Sequence, residues 1–185
     1  MLEAFLVSAG VVALAEMGDK TQLLAIVLAV RFRARLPIVA GIAVATLANH
    51  YCAAAFGKWL AELAGPQAMR WILAVSFLAM AAWILVPDKA EELEESKRSY
   101  GAFVTTLVAF FLVEIGDKTQ IATVALAARY PQIAAVVAGT TLGMLVANVP
   151  AVALGEALLR RVPLRLLQRV AAVAFAALGV LVLLA

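Results

Sequence analysis

Three ionisable residues stand close together in the string Glu16-Met17-Gly18-Asp19-Lys20-Thr21-Gln22, and the string returns as Glu114-Ile115-Gly116-Asp117-Lys118-Thr119-Gln120. Each residue of the second copy is numbered 98 above its counterpart, and both copies lie inside long apolar stretches. A charge inside a membrane segment is costly, and such residues mark ion pathways or proton relays. Four carboxylates and two lysines leave two negative charges, which one divalent cation would cancel. Oxygen donors suit hard cations such as manganese, calcium or magnesium. Glu16, Asp19, Glu114 and Asp117 are therefore the expected ligands, and Thr21, Thr119, Gln22, Gln120, Asn49 and Asn148 could add neutral oxygens. With the ion gone, carboxylates in a low-dielectric site take up protons. Competition between two protons and one divalent ion for the same carboxylates is the simplest route to exchange.

Plainer readings stand beside these. On a helix, residues three or four apart share a face, so Glu16 and Asp19 can point the same way, and Glu16 can pair with Lys20. Structural ion pairs Glu16–Lys20 and Glu114–Lys118 would add little net stability, and Asp19 and Asp117 would lack assigned partners. Lys20 and Lys118 either balance charge or snorkel to an aqueous cavity. Asn49 and Asn148 are ligands or interhelical hydrogen-bonding residues. His50, the only histidine, is a hydrogen-bonded helix residue or a proton relay. Gly18 lies between the acids, where the backbone could bend or unwind.

These residues must be positioned by membrane-spanning helices. The chain is 65% hydrophobic with a mean hydropathy of +1.01, well above a soluble domain. Apolar runs of about 20 residues, enough to cross a bilayer core, cover roughly 4–30, 38–56, 71–86, 102–128, 133–154 and 170–184. A mixed loop carrying Lys58, Glu62, Gly65, Pro66 and Arg70 is expected between the second and third, and a basic loop with Arg160, Arg161, Arg165 and Arg169 before the sixth. The first run has no basic region ahead of it and reads as a retained span rather than a cleaved signal peptide.

The repeat extends past the motif. Arg31-Phe32 matches Arg129-Tyr130, Val39-Ala40-Gly41 matches Val137-Ala138-Gly139, and Gly57 matches Gly155. At this offset Asn148 falls opposite His50; Asn49 reaches Asn148 only with a one-residue shift. Three spans per half is an odd number, so the halves must enter the membrane in opposite senses. The expected fold is an all-α polytopic membrane protein with six transmembrane helices as two inverted three-helix repeats. The first repeat covers 1–87 and the second 100–185, in one transport domain, joined by an acidic linker, 88–99, that reads as a solvated connection.

Loops after spans one, three and five carry Arg31, Arg33, Arg35, Lys89, Lys97, Arg98, Arg160, Arg161, Arg165 and Arg169, against Lys58, Arg70 and Arg129 on the other side. The richer side should be cytoplasmic, which puts the linker inside and both termini outside. A pI near 9.3 then reflects this bias, with no nucleic-acid partner. The lone Cys52 excludes an intrachain disulfide and a cysteine-based zinc site. The partners expected are the lipid bilayer, divalent cations and protons, with a homo-oligomer left open.

The doubled Glu-x-Gly-Asp-Lys-Thr string resembles the signature of the Gdt-type family of cation/proton exchangers, at Glu16, Gly18, Asp19, Lys20 and Thr21 and at Glu114, Gly116, Asp117, Lys118 and Thr119. The resemblance spans nearly the whole chain. It implies exchange of Mn²⁺ and Ca²⁺ against protons with the motif acids as the cation site, and, for bacterial members like this one, manganese export across the inner membrane. No prosthetic group is implied beyond the transported ion. A passive divalent-cation channel would use the same acids without coupling to pH. A metal-dependent enzyme is disfavoured, since no nucleophile is paired with a base.

Overall fold

The structure, a computed structural model, describes residues 1–86, 101–155 and 164–184. The acidic linker, Arg160 and Arg161 lie outside the described residues. Among the described residues every regular element is helical: α1 (Leu2–Glu16), α2 (Lys20–Phe32), α3 (Arg35–Ile84), α4 (Ala102–Glu114), α5 (Lys118–Arg129), α6 (Ile133–Leu154) and α7 (Leu164–Leu184). By length and apolar composition α3 and α6 can each cross a membrane, and α4 and the 168–184 part of α7 are shorter apolar helices.

The two motif-bearing stretches are not single helices. After Glu16, Met17 turns extended (φ −64°, ψ 116°) and Gly18 takes φ 81°; after Glu114, Ile115 (φ −62°, ψ 119°) and Gly116 (φ 77°) repeat the turn. A left-handed backbone is cheap only for glycine, so the motif glycine permits the break. The next helix starts at once because Asp19 and Asp117 cap it: each carboxylate accepts the backbone N–H two residues on, from Thr21 and Thr119, both at 3.4 Å. Gln22 and Gln120, at the third position of each helix, accept the backbone N–H of Gly18 (3.2 Å) and Gly116 (2.8 Å). This resembles a capping box, in which side chains satisfy the N–H groups that a helix start leaves without partners. The motif thus spells a helix end, a glycine turn and a capped helix start.

The mixed loop expected between the second and third spans is instead helical. α3 runs through Lys58 and Glu62, breaks at Gly65 (φ 73°, ψ 168°) and resumes at Pro66. Proline suits a first helical position because its missing N–H would have no partner there, so one glycine–proline turn replaces the loop. α7 likewise begins at Leu164, which puts Arg165 and Arg169 on a helix rather than in a loop.

The packing repeats with the elements exchanged. Gly41 on α3 meets α4, where an added Cβ would sit 2.8 Å from Thr106 Cβ and 2.9 Å from the Phe103 carbonyl oxygen. Gly139 on α6 meets α1 at the counterpart residues, Ser8 and Phe5. Small residues let helices approach closely where lipid removes any hydrophobic drive to associate. Phe77 of α3 packs against its own counterpart, Phe175 of α7, with ring centroids 6.1 Å apart. Large apolar side chains, Leu6, Val44, Trp59, Trp71 and Leu112 among them, are exposed on the outside, while Glu16, Asp19, His50, Glu114, Asp117, Lys118 and Asn148 are buried. An apolar exterior around a charged interior is the reverse of a soluble protein.

Candidate cation-binding site

The two helix breaks bring the motif copies together. One carboxylate oxygen from each of Glu16, Asp19 and Asp117 lies within 4.8 Å of the others, and all three residues are buried. The lysines cross between copies: Lys118 Nζ pairs with Asp19 Oδ1, and Lys20 Nζ lies 3.7 Å from Asp117 Oδ1. Pairing within each copy, Glu16 with Lys20 and Glu114 with Lys118, is not what the structure shows. The reason is local: α1 ends at Glu16 and a new helix begins at Lys20, so the four-residue rule for a continuous helix does not apply. For the same reason Glu16 and Asp19 converge across a turn, not along one helical face.

The remaining candidates divide by role. Thr21 Oγ1 and Thr119 Oγ1 donate to the Oδ2 of Asp19 and Asp117, at 3.2 and 3.3 Å, and so steady the capping carboxylates. Gln22 uses both ends of its amide, since Nε2 also donates to the Ala147 carbonyl on α6 at 3.0 Å. Asn49 donates to the Phe111 carbonyl at 3.0 Å and ties α3 to α4. Asn148 Nδ2 donates to Glu16 Oε1 at 3.1 Å, and also to the Met144 carbonyl. Asn49 and Asn148 are therefore not equivalent.

Glu114 falls outside the three-carboxylate group. Its Oε2 lies 3.6 Å from His50 Nε2, and both residues are fully buried. Geometry thus follows the 98-residue offset: Asn148 faces Glu16, and His50 faces Glu114. That offset was the one sequence signal for these two contacts. The capping role of the Asp-Lys-Thr-Gln run was also readable, as an Asp followed three residues on by Gln before an apolar stretch.

Three buried oxygens that converge, with lysines against the aspartates, can hold a hard divalent cation or protons in its place. The chain is a member of the family described as divalent cation/proton antiporter GDT1, which it matches over residues 4–92 and 102–185. It is a membrane transport protein, not an enzyme. A Vibrio cholerae protein (serotype O1, strain ATCC 39541 / Classical Ogawa 395 / O395) named "Putative manganese exporter" is 50% identical over 173 residues, covering 93% of this chain and 86% of the relative. No solved structure matches the chain significantly.

Proposed function

We propose that this protein exports Mn²⁺ from the cytoplasm in exchange for external protons, by alternating access. The observation that carries the reading is the convergence of Glu16, Asp19 and Asp117, drawn from both motif copies, within 4.8 Å of one another. The 50% identical relative named for manganese export supports the choice of ion. Glu16, Asp19 and Asp117 hold the cation and, when it leaves, the protons; Glu114 is the fourth motif acid on its path. Lys118 and Lys20 balance the aspartates across the two copies. Ca²⁺ is a second substrate, since the same oxygens serve both ions and selectivity rests on cavity size and rigidity.

The scaffold for this cycle is six spans in two inverted three-helix repeats, 1–87 and 100–185, within one domain. The exchanged contacts of Gly41 and Gly139 and the Phe77–Phe175 pair support that reading. Spans one and four are the broken ones, α1 with α2 and α4 with α5. Discontinuous helices of this kind hold ions at the midplane of many secondary transporters. The arginine-rich side faces the cytoplasm of the inner membrane, with both termini outside.

The test is Mn²⁺ flux into proteoliposomes with an acidic lumen, before and after an ionophore collapses the pH gradient. Coupled exchange gives accumulation that disappears with the gradient. Flux that follows the Mn²⁺ gradient alone would favour a channel.

A further inference from the structure

His50 and Asn148 occupy the same place in the two halves, yet they treat their glutamates differently. Asn148 closes on Glu16 with a 3.1 Å hydrogen bond. His50 Nε2 stops 3.6 Å short of Glu114 Oε2. Neither ring nitrogen of His50 and neither carboxylate oxygen of Glu114 has a hydrogen-bond partner among the described residues, although both side chains are fully buried. Buried polar groups are nearly always hydrogen-bonded, and each exception asks for a reason. The separation itself suggests one. It is too long for a good hydrogen bond, but two donors each about 2.0–2.2 Å from a shared ion lie roughly 3–4 Å apart. Glu114 also adjoins the three-carboxylate group through its own motif: the Asp117 N–H donates to the Glu114 carbonyl at 3.1 Å.

We propose that His50 and Glu114 form a second station for the transported cation, offering one imidazole nitrogen and one carboxylate oxygen beside the all-oxygen site. It rests on the divalent-cation reading above. The chemistry sets its preference. Mn²⁺ belongs, at its weak end, to the first-row series that binds nitrogen as well as oxygen sites, whereas Ca²⁺ takes oxygen ligands. A station with nitrogen therefore favours Mn²⁺ over Ca²⁺, a choice the three carboxylates do not make. The other half has no nitrogen ligand, since the amide Nδ2 of Asn148 is only a hydrogen-bond donor, to Glu16 and to the Met144 carbonyl.

The test uses the full, tag-free chain in detergent, with Mn²⁺ as the probe and pulsed electron paramagnetic resonance as the readout. His50 is the only histidine, so imidazole coupling to bound Mn²⁺ identifies it without any variant. The expected result is nitrogen coupling in the native chain at saturating Mn²⁺, lost in both His50→Asn and His50→Gln while Mn²⁺ still binds. The fold already seats an asparagine at the equivalent Asn148. In His50→Asn the preference for Mn²⁺ over Ca²⁺ in competition should be lost. Mn²⁺ bound by the native chain without nitrogen coupling would overturn the station and leave the carboxylate site standing. An unchanged ion preference in His50→Asn would overturn its selective role. No Mn²⁺ binding by the native chain would overturn the divalent-cation reading itself.

Discussion

Gly18 and Gly116 turn the chain at φ 81° and 77°, and Asp19 and Asp117 cap the following helices with the same contacts. The two motif copies therefore share a backbone. They differ in what surrounds it. The first copy gives two acids, Glu16 and Asp19, to the three-carboxylate group, and the second gives one, Asp117. Lys118 is buried against Asp19, while the Lys20 side chain keeps 28% of its surface exposed beside Asp117. Glu16 has an amide donor; Glu114 has an imidazole at 3.6 Å. Duplication conserves the device that breaks the helix, and single side chains on the packing helices divide the labour between the copies.

The lysines should separate the copies most. Lys118→Met removes the ammonium from a buried pair, and breaking such a pair costs about 3–5 kcal/mol. Lys20→Met acts at a partly solvated pair and should cost about 1 kcal/mol or less. Thermal unfolding in detergent compares them, and equal losses would erase the asymmetry. The glycines test what the copies share. Gly139→Ala drives a Cβ into the Phe5 carbonyl, and Gly41→Ala drives one into the Phe103 carbonyl. Both should lose roughly 1–3 kcal/mol to overpacking, read by the same melting experiment. A neutral substitution at either would break the exchanged packing.

Gly116→Ala isolates the backbone, because nothing lies within 4 Å of the added Cβ. Its left-handed φ should cost about 1–2 kcal/mol, visible as a lower melting temperature. The smallest effect belongs to a contact only one half has. The Tyr130 hydroxyl donates to Glu3 Oε1 at 3.1 Å, tying the end of α5 to the start of α1; the counterparts, Phe32 and Gly101, carry no such groups. Partial burial and the adjacent Glu3 carboxylate hold the Tyr130 hydroxyl above its ordinary range. Tyr130→Phe should cost about 0.5–1.5 kcal/mol and leave Mn²⁺ binding unchanged in a titration.

The helical class was legible from composition, and the repeat from one offset, because apolar runs and a fixed spacing are properties of the string itself. The span from Ile133 to Leu154 appears in the structure with those bounds. The within-copy ion pairs that helix spacing allows do not form, because Gly18 can bend a helix or stop it, and the capping by Asp19 stops it. The loop expected around Gly65 shrinks to one turn because Lys58 and Glu62, polar enough for a loop, sit four apart on one helix with Nζ and Oε1 4.0 Å apart. His50 facing Glu114 depends on how α3 crosses α4, and only the offset to Asn148 hinted at it.

The account turns on the two copies making one cation site, and Mn²⁺ titration of Asp19→Asn and Asp117→Asn, each alone, tests this most directly. A shared site predicts that either substitution abolishes tight Mn²⁺ binding at the all-oxygen site, because each removes an oxygen from the same group of three. If either variant kept native-affinity Mn²⁺ binding at an all-oxygen site, one without nitrogen coupling, the copies would not share a site and the account would be contradicted.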